Sequence, residues 1–344
     1  MVIGLLIVLL LVLALPFMFK IVEHNLEIFL FVMGLSAVIV SGALSLELFE
    51  EIFTNTFLYL ITAAVLVSGI LFKIFKDHIA LGVNKILKHM PLNIFILLII
   101  IIVGLASSII TAIIASLLLV EILNLLPIER KQKINLNIIA CFSIGLGAVL
   151  TPVGEPLATV VVSRLNADFF FLFRELGIYV IPCVIVLGFV GLLYVNRFKK
   201  HAADDTITKE LPEAEETYKD GFIRSGKIFI FVFALELLGT GFKPLIDNYV
   251  IHLDSRLLYW INMISSVLDN ATLASAEISS KMNPMQVQAI LMGLLISGGM
   301  LIPGNIPNII SAGKLKIKSN EWARLGVPMG IIIMAVYFVI MFII

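Results

Sequence analysis

Two acidic residues sit where an apolar chain least tolerates them. Asp269 lies in Ser265-Ser266-Val267-Leu268-Asp269-Asn270-Ala271-Thr272, and Glu155 lies in Thr151-Pro152-Val153-Gly154-Glu155-Pro156. Both motifs interrupt long apolar stretches. A carboxylate at the centre of a bilayer costs about 2.5–3.5 kcal/mol on insertion scales, so such acids mark ion or substrate pathways. Their neighbours offer hydroxyl, amide and backbone oxygens, the ligands of hard cations. Asn270 and Thr272 flank Asp269, while Thr151 and Gly154 precede Glu155. Two further clusters have the same chemistry: Ser107, Ser108 and Thr111, and Asn305 with Asn308. Two carboxylates among neutral oxygens suit sodium, with Asp269 and Glu155 as its charged ligands. A proton on either acid would compete with the cation, which is the physical basis of antiport.

Other acids read differently. Asp269 also fits a helix N-cap. Glu236 stands seven residues before Lys243 in one apolar segment and reads as a structural ion pair with it. Glu277 shares a helix face with Asn270, and Glu121 reads as interfacial. No enzyme signature is present: there is neither an H-E-x-x-H motif nor a catalytic aspartate pair. Gly221 to Lys227 fits G-x-x-x-x-G-K but is followed by Ile228, so it is a chance match. The five histidines fall in loops or at helix ends, and no cofactor beyond the ion is expected.

The elements that must hold these residues follow from composition. The chain has 344 residues, 60% of them hydrophobic and 14% charged, with a formal net charge of zero. Soluble domains carry roughly half apolar and a quarter charged residues. The neutral balance gives no attraction to nucleic acid. Uncharged blocks such as Val2–Phe19 and Val327–Ile344 approach the length needed to span a bilayer. Backbone groups in lipid must be satisfied within the segment, and no two-residue alternation supports a barrel. The expectation is an all-α, multi-pass protein of the cell (inner) membrane. The N-terminal block lacks a basic flank and a cleavage site, so it reads as a span.

Basic clusters at Lys73–Lys88, Arg130–Lys133, Arg197–Lys200 and Lys314–Lys318 place those loops in the cytoplasm. The apolar segment 91–126 lies between two of them. It therefore reads as a re-entrant hairpin with its tip in the 104–111 stretch. A second hairpin, between Arg256 and Lys281, opens to the opposite side. Expected spans are 2–19, 28–46, 55–75, 134–165 (broken at 151–156), 175–196, 227–246, 286–313 (broken at 303–307) and 322–344. An interfacial helix is expected at 77–89. The organisation is N-terminal scaffold helices 1–90, a first transport repeat 91–200, a cytoplasmic linker 201–222 and a second repeat 223–344.

The repeat rests on order and spacing. Ser107-Ser108 matches Ser265-Ser266, and Pro152-x-x-x-Pro156 aligns with Pro303-x-x-x-Pro307. Inverted repeats whose helices are broken by proline and glycine point to a mid-membrane binding site.

The layout resembles the ion transporter superfamily: NhaD-type sodium/proton antiporters, arsenite/antimonite permeases and divalent-anion/sodium symporters. Ser266-Val-Leu-Asp269-Asn270-Ala-Thr272 resembles the antiporter element S-x-L-D-N-x-T. Thr151 to Pro156 resembles S-P-[IV]-G-D-P, with Glu for Asp. Gly304-Asn305-Ile-Pro-Asn308-Ile resembles G-N-x-x-N-I. Closest in kind is a small prokaryotic group of predicted cation transporters of unknown function. The resemblance covers about 90–344. It implies an alternating-access secondary transporter, sodium/proton antiport first, and a homodimer embedded in lipid. The alternatives are sodium-coupled uptake of a small anion such as a dicarboxylate and, from another class, a passive ion channel.

Overall fold

The computed structural model describes residues 1–19, 21, 22, 25–67, 70, 74, 90–198, 218–266 and 269–344. The expected interfacial helix at 77–89 and most of the expected linker at 201–222 lie outside them. Among the described residues every regular element is a helix. The first four are α1 (Val2–Met18), α2 (Leu26–Ser41), α3 (Leu46–Thr54) and α4 (Thr56–Val67). A first group follows: α5 (Leu92–Ile110), α6 (Ala112–Leu125), α7 (Arg130–Ala148), α8 (Pro156–Arg164) and α9 (Phe171–Phe198). The rest are α10 (Tyr218–Asn248), α11 (Ser255–Ile261), α12 (Asn270–Glu277), α13 (Pro284–Gly298), α14 (Ile306–Lys314) and α15 (Ser319–Phe342). Leu92–Ile110, Phe171–Asn196, Ser225–Asn248 and Ser319–Phe342 are long and apolar enough to cross a membrane. Together, α3 and α4 make a fifth candidate, bent by 46°.

Local chemistry fixes the ends. Ser45 accepts a hydrogen bond from Leu48 N and starts α3. Asn283 and Gln286 form a capping box at α13, with Pro284 at its first position. Asp168 accepts Phe170 N ahead of α9, and the Arg174 guanidinium beside it holds its carboxyl below the usual range. Glu47, Glu50 and Glu51 lie on the amphipathic α3, which buries Leu48 and Ile52.

Side-chain contacts give the chain directions. Ser143 Oγ donates to Ile100 O at 2.9 Å, and Ser107 Oγ to Ile144 O at 3.0 Å. Thus α5 runs parallel to α7. Lys133 Nζ reaches Asn124 O at 3.3 Å, so α6 returns to the end where α7 starts. In the second half Ser265 Oγ donates to Leu294 O and Ser297 Oγ to Asn262 O, and Gly293 lies against Tyr259 O. There α11 runs parallel to α13.

Orientation of the two sets follows from α9. Asn135 at the start of α7 bonds Tyr194 near the end of α9, at 2.6 Å. Gln288 at the start of α13 bonds Glu175 near the start of α9, at 2.9 Å. So α7 and α13 begin at opposite ends of the molecule. Arg130 bridges to Glu321 and Lys316 O at one end, with Lys131, Lys133, Lys314 and Lys318. Asp168, Asp247 and Asp254 lie at the other. These are called the basic and acidic faces below. Packing between the sets is crossed: α12 lies on α8, and α14 lies on α6.

Two turns of the chain share one local geometry. Gly154 and Gly304 each precede an extended N-cap, Glu155 (φ −157) and Asn305 (φ −154), and each cap starts a 9-residue helix. Asn166 (φ 47) and Lys316 (φ 50) then close both helices in the same left-handed turn. All three pairs are 150 residues apart. Aligning Pro152 with Pro303 is one residue out, because Pro156 occupies the first helical position and Pro307 the second. Both tolerate proline, since neither amide has a partner within its helix.

Two further expectations change. The linker was expected to reach residue 222, but α10 is helical from Tyr218. It also packs along α2, in parallel, as Lys227–Glu27 (2.7 Å) and the close approach of Gly241 to Ala37 require. By packing, α10 belongs with α1–α4. The partner of Glu236 is Arg164, at the end of α8, and not Lys243. Arg164 Nη2 lies 3.7 Å from Glu236 Oε2 and donates to Glu236 O at 2.5 Å, while Nη1 reaches Thr240 Oγ1 at 3.3 Å. Asn55, at the bend between α3 and α4, donates to Glu236 Oε1 at 3.1 Å. The guanidinium lies against Gly239, where a Cβ would come within 2.0 Å of Nη2.

Breaking a buried ion pair from one side costs about 3–5 kcal/mol, whereas apolar replacement of both partners is close to neutral. Arg164→Met is thus expected to lower the melting temperature sharply, and Arg164→Met/Glu236→Leu to recover most of the loss. A double variant no more stable than Arg164→Met would sink the pairing.

Candidate functional site

Four short helices begin in the middle of the molecule, and their N-caps are Thr111 (α6), Glu155 (α8), Asp269 (α12) and Asn305 (α14). Each is a residue singled out from the sequence. Their use differs in a regular way. Thr111 Oγ1 accepts Ile114 N at 3.4 Å, and Asp269 Oδ2 accepts Thr272 N at 2.9 Å. Both therefore cap their own helices. Glu155 and Asn305 make no such cap bond. Glu155 Oε1 and Asn305 Oδ1 are buried with no partner.

These caps are drawn together by the breaks beside them. Ala112 N donates to Gly154 O at 2.8 Å, tying the head of α6 to the turn before α8. Thr151 Oγ1 donates to Ser108 O across the same junction. The helices that Asp269 and Glu155 begin, α12 and α8, pack on each other. Asn270 Nδ2 is itself buried without a hydrogen-bond partner. Thr272 donates its hydroxyl to Asp269 Oδ2 at 3.0 Å. A small opening reaches Thr111, Glu155 and Ile306 past Ile61, Val65 and Ile228 of α4 and α10.

The remaining expected residues lie alongside. Ser107 Oγ donates to Gly104 O and Ile144 O, and Ser108 Oγ donates to Leu105 O at 2.7 Å. Their protons are spent on backbone carbonyls, which leaves only the oxygen lone pairs for a ligand. Asn308 Nδ2 donates to Gly298 O (2.8 Å) and Leu301 O (2.9 Å), bridging the second break and leaving Oδ1 without a partner. Glu277 leaves the site: Asn262 Nδ2 donates to it at 2.8 Å, fastening the end of α12 to α11. Glu121 is half-buried on α6.

Two glycines permit the breaks. A Cβ on Gly154 would stand 1.9 Å from Ala148 O, and one on Gly304 would stand 2.5 Å from Ser265 O. Backbone passes backbone at both points, so no side chain fits. Sequence reading missed Asn55, Asn137 and Arg164. Asn137 and Arg164 are polar residues in largely apolar segments, which was the available signal; Asn55, between Thr54 and Thr56, had none.

Chemically, the centre combines two carboxylates with neutral amide, hydroxyl and carbonyl oxygens. Among the described residues no group of three or more His, Cys, Asp and Glu could hold a metal. A cation here would be held by Glu155 or Asp269 and by neutral oxygens, the ligand balance of a weakly held monovalent ion.

Over residues 2–344 the chain matches the model of a family described as Protein of unknown function (DUF1646). No curated protein matches it.

Forcing a methyl group into tightly packed backbone costs about 1–3 kcal/mol. Gly154→Ala and Gly304→Ala should therefore both lower the melting temperature. Gly313→Ala is the control, since nothing lies within 4 Å of its Cβ position; it sits in α14 and should be neutral or stabilising. Equal melting of Gly154→Ala and Gly313→Ala would contradict the close approach.

Proposed function

We propose that this chain, which belongs to the DUF1646 family, is a secondary transporter exchanging a small cation, sodium first, for protons across the cell membrane. Glu155 carries the reading. It is 2% exposed and one of its oxygens has no partner. An ionised carboxylate so placed needs a cation beside it or a proton on it. Alternation between those two occupants is cation/proton exchange.

The arrangement around Glu155 supports this reading. The basic face is taken as cytoplasmic by the positive-inside rule. On that orientation α5–α6 is a re-entrant hairpin open to the cytoplasm, and α11–α12 is one open to the outside. The helices α7–α8 and α13–α14 are then spans broken at mid-membrane, as in inverted-repeat transporters. The resemblance to the ion transporter superfamily points the same way. Glu155, Asp269, Asn270 and Thr272 would hold the cation on one side, with Ser107, Ser108, Thr111, Thr151, Gly154, Asn305 and Asn308 contributing neutral oxygens. Helices α1–α4 with α10 would form the scaffold, including the contact of a homodimer.

One observation favours a second reading, sodium-coupled uptake of a small anion. Four helix N-termini meet at the centre, and each favours negative charge. Two of the four, however, already carry a carboxylate as their cap residue.

The deciding measurement is flux in proteoliposomes under a pH gradient, with sodium, lithium, potassium and dicarboxylates offered separately. Sodium flux driven uphill by the proton gradient is expected; dicarboxylate uptake that requires sodium would install the second reading, and flux only downhill would mean a channel. Asp269→Asn is expected to abolish exchange without loss of stability, because asparagine caps a helix as well as aspartate does. Full pH-sensitive sodium flux in that variant would remove Asp269 from the cation site.

A further inference from the structure

Helix α14 runs back along α7 from the centre toward the basic face, and their contact carries polar groups along its length. Asn305 faces Gly145, Cys141 faces Pro307 O at 3.7 Å, and Asn137 Nδ2 donates to Ser311 Oγ at 3.0 Å. Asn137, Gly145 and Cys141 are one helical turn apart and form a single stripe of α7. Asn137, Asn308 and Ser311 have no exposure at all. Ser311 Oγ lies 3.2 Å from Cys141 Sγ and 3.4 Å from Asn308 O.

The hydrogen-bond inventory along this contact does not balance. Asn137 Oδ1, Asn305 Oδ1 and Asn308 Oδ1 are all buried without a partner, and all three are acceptors. No unpartnered buried side-chain donor occurs on α7 or α14 among the described residues. Amides that merely joined two helices would match donors to acceptors. Asn305 and Asn308 belong to the central site on the transport reading, so Asn137 Oδ1 is the acceptor that remains. With no donor of the protein to meet it, it is open to a cation. The stripe holds no carboxylate, so the occupant is monovalent: divalent ions take charged oxygen ligands, whereas neutral oxygens can replace the hydration shell of a monovalent ion.

We propose that the α7–α14 contact holds a second cation station of neutral oxygens, centred on Asn137 Oδ1 and Ser311 Oγ. It lies between the basic face and the central site, and receives the monovalent ion on that side. The station rests on the transport reading above.

The test uses the purified full-length protein with sodium chloride against choline chloride. Melting temperature is measured first, then initial rates in proteoliposomes of known orientation. In Asn137→Leu and Ser311→Ala the KM for sodium offered at the basic face is expected to rise about tenfold. The KM at the acidic face should change far less. Sodium should still raise the melting temperature of Asp269→Asn, and adding Asn137→Leu should remove that rise. A lower melting temperature with equal KM values at both faces would mean an interhelix bond only, and would overturn the station. Should Asn137→Leu fail to fold, Ser311→Ala alone decides by the same KM comparison. Wild-type protein whose melting ignores sodium would instead overturn the transport reading, and the station with it.

Discussion

A helix that breaks in an apolar interior exposes amides and carbonyls with no water to take them. Many contacts at the centre answer that constraint. The first break is closed by Ala112 N on Gly154 O, by Thr151 on Ser108 O and by Thr159 Oγ1 on Pro152 O. The second is closed by Asn308 on Gly298 O and Leu301 O, and by the buried indole of Trp322 on Gly299 O. Each set of donors comes partly from a helix pair other than the broken one. Neither break closes from its own two half-helices alone: the first also needs α6 and the second α15.

The crossed packing of α12 on α8 and α14 on α6 has the same origin. A half-helix of 9 residues spans about 14 Å at 1.5 Å per residue. It cannot bury its sides without a partner of similar length, and the hairpin limbs supply one. The far end of α8 then meets the α4–α10 pair, where Arg164 reaches Glu236 and Ser163 accepts Asn55 Nδ2 at 3.0 Å. One polar joint therefore fastens the centre to the long helices. The opposite joint, Arg130 with Glu321 and Lys316 O, fastens the start of α7 to α15.

Much of this was legible in the sequence because apolar blocks and their interruptions are strong signals. Gly154, Glu155, Asp269 and Asn305 stood out as polar or flexible points within such blocks, and the structure places each at a helix start or just before one. Register was not legible. Prolines look alike in a sequence whether they take the first or the second helical position, and only cap geometry shows that Glu155 and Asn305 correspond. The partner of Glu236 was hidden for another reason: Lys243 is near in sequence, whereas Arg164 approaches only through tertiary packing. The bend at Asn55 had no signal of its own, since a single asparagine between two amphipathic segments also fits a loop.

The cap residues of α6 and α12 turn their corners differently. Asp269 turns its corner at φ −58 and ψ 127, an ordinary conformation for any residue. Thr111 turns its corner at φ 74 and ψ 149, a region that is nearly closed to residues with a Cβ and most severely to β-branched ones. Such a conformation costs on the order of 1–3 kcal/mol and persists only under constraint. Here the constraint is the bond from the next residue, Ala112, to Gly154. Separating the α5–α6 tip from the turn before α8 would release Thr111 to a relaxed basin. The first hairpin is thus a loaded spring held by its neighbour.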